Sequence, residues 1–207
     1  MPTTQSQLTP VQVLRAYCLG AFPMAHGRRG AIEWFSPDPR ALLPLEPGRF
    51  HVPKSLARRV RSGRFHVTHD QAFERVIRAC AGPRPGEPDT WINDEIIRVY
   101  TELHHMGLAH SVEAWTSPTE QTDETLAGGL YGVALGGAFF GESMFSRRTD
   151  ASKVCLVKLV EHLRQRGFAL LDVQFHNPHL AQFNLYELPH RDYLERLQAA
   201  LAMPVRW

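Results

Sequence analysis

Two apolar stretches, Leu126–Leu135 and Ala138–Ser146, are separated only by Gly136-Gly137. So short a glycine connection predicts a tight hairpin, and with it two adjacent antiparallel strands. The segments around this hairpin are periodic in different ways. Phe65–Thr68 reads as a strand, and Asp70–Ala81 as a helix with Phe73, Val76 and Ile77 turned inward. Gly82 to Pro88 is a proline-rich loop. Asn93 is placed to cap a helix that runs to about Met106, with Ile96, Tyr100 and Leu103 on its inner face and Gly107 ending it. His110–Thr116 is another strand. After the hairpin, Asp150 is expected to cap a helix over Ala151–Arg166, closed by Gly167. Phe168–Phe175 reads as a strand, and Arg191–Ala202 as the last helix. Helices, an antiparallel hairpin, a helix and a further strand in that order give an α+β class.

The part before residue 65 is different. Thr9, Pro10 and Gln12 form a capping box with proline at the first helical position, and Gly20 stops that helix. Residues 21–50 are rich in Pro and Gly and predict irregular backbone with two short strands. Ser55–Arg61 is a short basic helix. Residues 1–64 hold ten Lys/Arg against three Asp/Glu, a net of +7, whereas residues 65–207 carry a net of −5. The expected division is a small basic N-terminal subdomain, 1–64, and a larger domain, 65–207. Lys54, Arg58, Arg59, Arg61 and Arg64, with Arg49, form a run without an acid. Such a run suits nucleic-acid phosphates, whose condensed counterions it would release, and equally a solvated helix that binds nothing.

Several classes are disfavoured. No apolar run approaches the roughly 18 residues of a membrane span. The polar start, MPTTQSQLTP, does not read as a signal peptide, so a cytoplasmic protein is expected. Cys18, Cys80 and Cys155 are few and far apart, which fits a reducing compartment. The spacings of His104, His105, His110, His176 and His179 match no metal site, and no metal is expected. With no long apolar helix face left over, a monomer is the expectation.

The strand at 168–175 carries the most chemistry. Alternation puts Leu171, Val173 and Phe175 on one face and Asp172 with Gln174 on the other, roughly 7 Å apart at Cα. A carboxylate beside a carboxamide can orient an attacking amine and hold a carbonyl; it can also merely tie a strand to a loop. In the hairpin's second strand, the same alternation places Phe140, Glu142, Met144 and Ser146 together. That mixture suits a pocket for an apolar side chain with a polar anchor, or a core strand whose Glu pairs with an Arg. Gly128, Gly129 and Gly132 within one strand point either to a ligand surface or to a bulge.

These segments, taken in order, resemble the leucyl/phenylalanyl-tRNA–protein transferase family. The matching residues run from Arg15-Ala16-Tyr17 and Gly20-Ala21-Phe22-Pro23 through Trp34-Phe35-Ser36-Pro37-Asp38-Pro39-Arg40 and Thr90-Trp91-Ile92 to Ala109-His110-Ser111-Val112-Glu113. They continue with Gly128-Gly129-Leu130-Tyr131-Gly132, Gly141-Glu142-Ser143-Met144-Phe145-Ser146 with Ala151-Ser152-Lys153, and Leu171-Asp172-Val173-Gln174. The resemblance implies a GNAT-like (acyl-CoA N-acyltransferase-like) C-terminal domain with a small N-terminal α/β subdomain. It implies transfer of Leu, Phe or Met from aminoacyl-tRNA to proteins beginning with Arg or Lys, marking them for N-degron proteolysis, with no cofactor. Asp172 and Gln174 would then be catalytic, Asp172 orienting the amine. Glu142, Met144, Leu130, Phe139, Trp91, Tyr17 and Ser146 would bind substrate, and Lys54, Arg58, Arg59, Arg61 and Arg64 would grip the tRNA. The family usually has Gly where this chain has Asn184, which is expected to reshape that loop. A GNAT-like enzyme using acyl-CoA is the competing reading. However, Met144–Ser152 lacks the glycine-rich turn that grips pyrophosphate.

Overall fold

The computed structural model describes residues 7–83 and 89–207. Most of the loop expected over Gly82–Pro88 lies outside them. The elements are α1 (Pro10–Cys18), β1 (Phe22–Ala25), β2 (Ile32–Phe35), β3 (Arg40–Leu43), α2 (Lys54–Arg61), β4 (His66–His69), α3 (Phe73–Cys80) and α4 (Asp94–His105). They continue as β5 (Ala109–Trp115), β6 (Leu126–Leu135), β7 (Ala138–Ser146), α5 (Ala151–Arg166), β8 (Leu170–Gln174), α6 (Pro178–Ala181), β9 (Tyr186–Leu188) and α7 (His190–Leu201).

The hairpin organises the molecule. Leu135 pairs with Ala138 across the two glycines, and Gly136 adopts a left-handed φ of +53°. A Cβ there would meet the Leu201 carbonyl oxygen at 2.5 Å, so the turn is also where α7 ends. β6 and β7 sit in a seven-stranded sheet ordered β4-β5-β6-β7-β8-β3-β9. The pairs are antiparallel except β7–β8, which is parallel and is reached through α5. This is the expected α+β arrangement. α1, α3, α4 and α7 bury one face of the sheet; α5, with α2 packed beside it, buries the other.

Local chemistry explains most boundaries. Thr9 and Gln12 form the expected capping box on α1, and the Asn93 side chain accepts from Ile96 N at the start of α4. α3 starts later than expected, because Asp70 sits at φ +58° and spends its carboxylate on Ser111 N and His110. Asp150 does not cap α5. It is left-handed, with φ +68°, and its carboxylate lies 3.6 Å from Arg59 and 3.7 Å from Lys153. The Ser146 oxygen caps instead, accepting from Ser152 N at 3.0 Å.

The largest departure is β3. Residues 21–50 contain three strands, and the third leaves its neighbours to enter the large sheet between β8 and β9. Strand pairing therefore crosses the division expected at residue 64. The prolines after Leu43 mask the strand in the sequence, although all four of its residues are buried. The glycines of β6 answer to packing. A Cβ on Gly128 would meet Ala151 Cβ of α5 at 2.7 Å, and one on Gly132 would meet the Phe139 ring at 2.4 Å.

Candidate active site

β7 and β8 pair only from Ala138↔Leu170 to Phe140↔Asp172, although each runs further. Beyond that point the two strands separate. A cavity of ≈ 1220 Å³ is lined from both, by Glu142 and Met144 of β7 and by Val173 and Gln174 of β8. Two irregularities aim its polar side chains. In β7 the register shifts between Tyr131↔Ser143 and Gly132↔Gly141, so Glu142 is the extra residue of a bulge. In β8 the register shifts between Leu42↔Asp172 and Ala41↔Gln174, and Gln174 ends the strand at a left-handed φ of +62°. A glutamine in that conformation is strained and needs holding.

Asp172 holds it. Asp172 Oδ1 accepts the Gln174 backbone N–H at 2.9 Å. The same carboxylate takes a two-pronged contact from Arg40, Nε to Oδ1 at 2.9 Å and Nη2 to Oδ2 at 2.9 Å, and Tyr193 donates its hydroxyl at 2.6 Å. Arg40 Nη1 donates to the Gly20 carbonyl at 2.8 Å, and the guanidinium lies 4.8 Å from both the Phe22 and Tyr193 ring centres. Arg40 and Asp172 have no side-chain exposure. Removing one member of such a buried pair strands the other, at a cost of about 3–5 kcal/mol. Asp172 therefore stands behind Gln174, outside the residues that line the cavity.

Glu142 reaches the cavity. Its Oε1 accepts from Gln174 Nε2 at 3.1 Å, and its Oε2 from the Tyr100 hydroxyl at 3.3 Å. Tyr100 is in turn 2.6 Å from the Tyr17 hydroxyl. Burial, with the charge of Asp172 adding to it, pushes the Glu142 carboxyl up to about 7 against the opposing tyrosine hydrogen bonds and Arg40. Burial also raises Tyr17 and Tyr100 well above the usual phenol value, so both remain hydroxyl donors.

Comparison with known proteins meets this geometry. Residues 44–198 match the family model described as leucyl/phenylalanyl-tRNA protein transferase, and residues 6–38 match the model of its N-terminal domain. The chain belongs to the leucyl/phenylalanyl-tRNA–protein transferase family. It is 53% identical over 200 residues to the leucyl/phenylalanyl-tRNA–protein transferase of Gloeobacter violaceus, covering 97% of each chain. It is 55% identical to that of Paramagnetospirillum magneticum, covering 94% of this chain and 90% of the relative. Among solved structures, a tandem GNAT protein from the clavulanic acid biosynthesis pathway aligns at 14% identity over 90% of this chain and 58% of that one. Its TM-score of 0.39 is too low to carry an inference.

The residues expected to bind substrate in this family member divide into three groups. Leu130, Met144, Ser146 and Trp91 line the cavity with Glu142 and Gln174. Tyr17 is wholly buried behind Glu142, where its hydroxyl meets both Tyr100 and the Glu142 carboxylate. Phe139 is a correction: it lies in the core under α5, stacked on Trp207 at 5.3 Å, and is not among the lining residues. The β7 bulge also overturns the expected common face. Glu142 and Phe140 belong to the α4 side of the sheet, whereas Met144 pairs with Leu130 on the α5 side. On that side Leu156, Leu159, Leu171, Leu180 and Phe183 complete an apolar wall.

Asn184 keeps a left-handed backbone, φ +63°, the conformation a glycine would supply, and its amide donates to Arg49 O at 3.0 Å. Of the basic run, Lys54, Arg58, Arg61 and Arg64 are exposed, and Arg59 reaches Asp150 on the cavity wall. Among the described residues no group of three His, Cys, Asp or Glu could hold a metal ion, and no helix is long and apolar enough to cross a membrane. Sequence reasoning missed Arg40, Tyr193 and Tyr100 as parts of the site. Arg40 did leave a signal: it is a lone cation at the head of the apolar run Ala41-Leu42-Leu43.

Proposed function

We propose that this chain transfers Leu, Phe or Met from aminoacyl-tRNA to the α-amine of a protein beginning with Arg or Lys, giving a product marked for N-degron proteolysis. The observation that carries the reading is the cavity itself: an apolar wall of Leu130, Met144, Leu171 and Leu180, adjoining the Gln174–Glu142 contact. The wall suits an apolar aliphatic or aromatic guest, Met144 being the adaptable member. The aminoacyl ester is already activated, so the reaction needs an amine held close to its carbonyl and a route for one proton, without ATP or CoA. Gln174 donates its Nε2 hydrogen to Glu142, leaving Oε1 to accept an amine N–H. Asp172 serves as a positioning residue that fixes the Gln174 backbone. Trp91, on the cavity wall, offers a ring for the terminal base, a contact that contributes roughly 1–3 kcal/mol. α2, beside α5, presents its cations to the acceptor stem without reading sequence. A monomer in the cytoplasm, where charged tRNA is found, fits this role.

The test is transfer of radiolabelled Leu or Phe from charged tRNA to peptides beginning with Arg or Lys, with a Gly-initiated control. Transfer to the basic N-termini alone is expected, slowed roughly 100-fold or more by Gln174→Ala, because loss of positioning is costly in aminolysis. Equal transfer to the Gly-initiated peptide would overturn the acceptor assignment. No transfer to any peptide would overturn the reaction.

A further inference from the structure

Three carboxylates line the cavity: Asp123, Glu142 and Asp150. Asp123 lies 3.6 Å from Arg75, and Asp150 lies 3.6 Å from Arg59 and 3.7 Å from Lys153, so both are committed to cations. Asp172, behind them, is enclosed by Arg40, Tyr193 and the Gln174 amide. Glu142 alone of the lining carboxylates has only neutral hydrogen-bonding partners among the described residues, the Gln174 amide and the Tyr100 and Tyr17 hydroxyls. It also touches the carboxamide that would hold the amine.

We propose that Glu142 is the proton acceptor of the transfer reaction, a role that rests on the function proposed above. The acceptor's ammonium first loses one proton to solvent. The nitrogen lone pair of the neutral amine then attacks the ester carbonyl carbon, and the carbonyl π electrons move to oxygen. Glu142 takes the proton that has become acidic on nitrogen. The oxyanion re-forms its double bond, the carbon–oxygen bond to the ribose breaks, and the ribose oxygen leaves with that electron pair. It receives the proton back from the Glu142 carboxylic acid. One ester and one amine become one amide and one hydroxyl, and Glu142 returns to its carboxylate. A carboxyl held near 7 is suited to both halves of this exchange at neutral pH.

The groups facing Glu142 come from four elements: Tyr17 of α1, Arg40 of β3, Tyr100 of α4, and Asp172 and Gln174 of β8; Tyr193 of α7 faces Asp172. The three tyrosines are raised by burial and the guanidinium stays charged, so none of them changes charge near neutrality.

The experiment is the pH dependence of kcat/KM for transfer from leucyl-tRNA to an Arg-initiated peptide, using the full chain. The wild type is expected to fall on the acid side more steeply than protonation of the peptide amine alone requires. Glu142→Gln is expected to lower kcat/KM near neutrality roughly 100- to 10,000-fold and to reduce the acid-side slope by one proton. Tyr100→Phe removes a donor that favours the carboxylate, and is expected to move the acid limb to higher pH; it decides the matter if the glutamine variant is too slow to profile. An unchanged slope in Glu142→Gln, or an unmoved limb in Tyr100→Phe, overturns the proposal while leaving the transferase reading intact. Absence of transfer by the wild type overturns both.

Discussion

Asp172 and Glu142 lie on neighbouring strands beside the same cavity, and their surroundings are opposite. Asp172 is met by a guanidinium on both oxygens, by a tyrosine hydroxyl and by a backbone N–H. Glu142 is met by a carboxamide and two tyrosine hydroxyls. Burial charges a penalty to both. In one case a cation offsets it, and the carboxylate becomes a fixed part of the frame. In the other the penalty stays, and the group is left able to change its charge. A carboxylate tied into the frame behind the site and a titrating one on its wall thus differ in their hydrogen-bonding partners, with Arg40 of β3 clasping Asp172.

The comparison breaks most readily at Arg40. Arg40→Met leaves Asp172 buried without its cation and is expected to lower unfolding stability by about 3–5 kcal/mol, as urea denaturation would record. Adding Asp172→Asn should recover much of that loss, because the stranded charge is then gone. A single-variant cost below about 1 kcal/mol would mean the pair is not the frame described here.

A smaller effect, of opposite sign, is expected at Glu142. Its folded-state value of about 7 lies above its ordinary value of 4.5. The folded chain therefore binds the extra proton between those limits, and the stability from this group is full below the lower one and is lost as pH rises through the upper one. Glu142→Gln should accordingly be more stable than wild type above neutrality, by up to about 3 kcal/mol, and should show no gain under acid conditions. Matched urea midpoints at the two extremes check this, and a gain independent of pH would contradict the titrating carboxyl.

The smallest effect sharpens the contrast between buried and solvated charge. Arg58 and Arg61 of α2 are exposed. Replacing either by Ala should change stability by no more than about 0.5 kcal/mol. It should reduce the salt slope of charged-tRNA binding by about one unit per residue. Full retention of the slope would remove α2 from the tRNA surface.

The chain's order of elements was legible because it rests on local rules. The Gly136-Gly137 turn, the Thr9–Gln12 capping box and the Asn93 cap are written in neighbouring residues and appear where expected. So was the pairing of Asp172 with Gln174 on one side of β8, since alternation is a local property. Alternation failed in β7 because the bulge inserts Glu142 as an unpaired residue, and a bulge depends on the partner strand. Phe139 reads as a pocket residue from its neighbours, but its ring is covered by Trp207, far away in the chain. Gly128, Gly129 and Gly132 fit a ligand surface or a bulge equally well until α5, the Phe139 ring and the register shift at Gly132 are in place.

Sequence by itself therefore determined the α+β class, the family, and the strands that carry Asp172, Gln174, Glu142 and Met144. Only the tertiary structure decided what each of those side chains is for. It carried β3 across the expected division at residue 64 and set Arg40 against Asp172, 132 residues apart in the chain. It also opened the cavity where β7 and β8 stop pairing. The physical reason is that caps, turns and periodicity are fixed within a few residues, whereas a carboxylate's charge and reach depend on which distant groups burial brings within hydrogen-bonding distance.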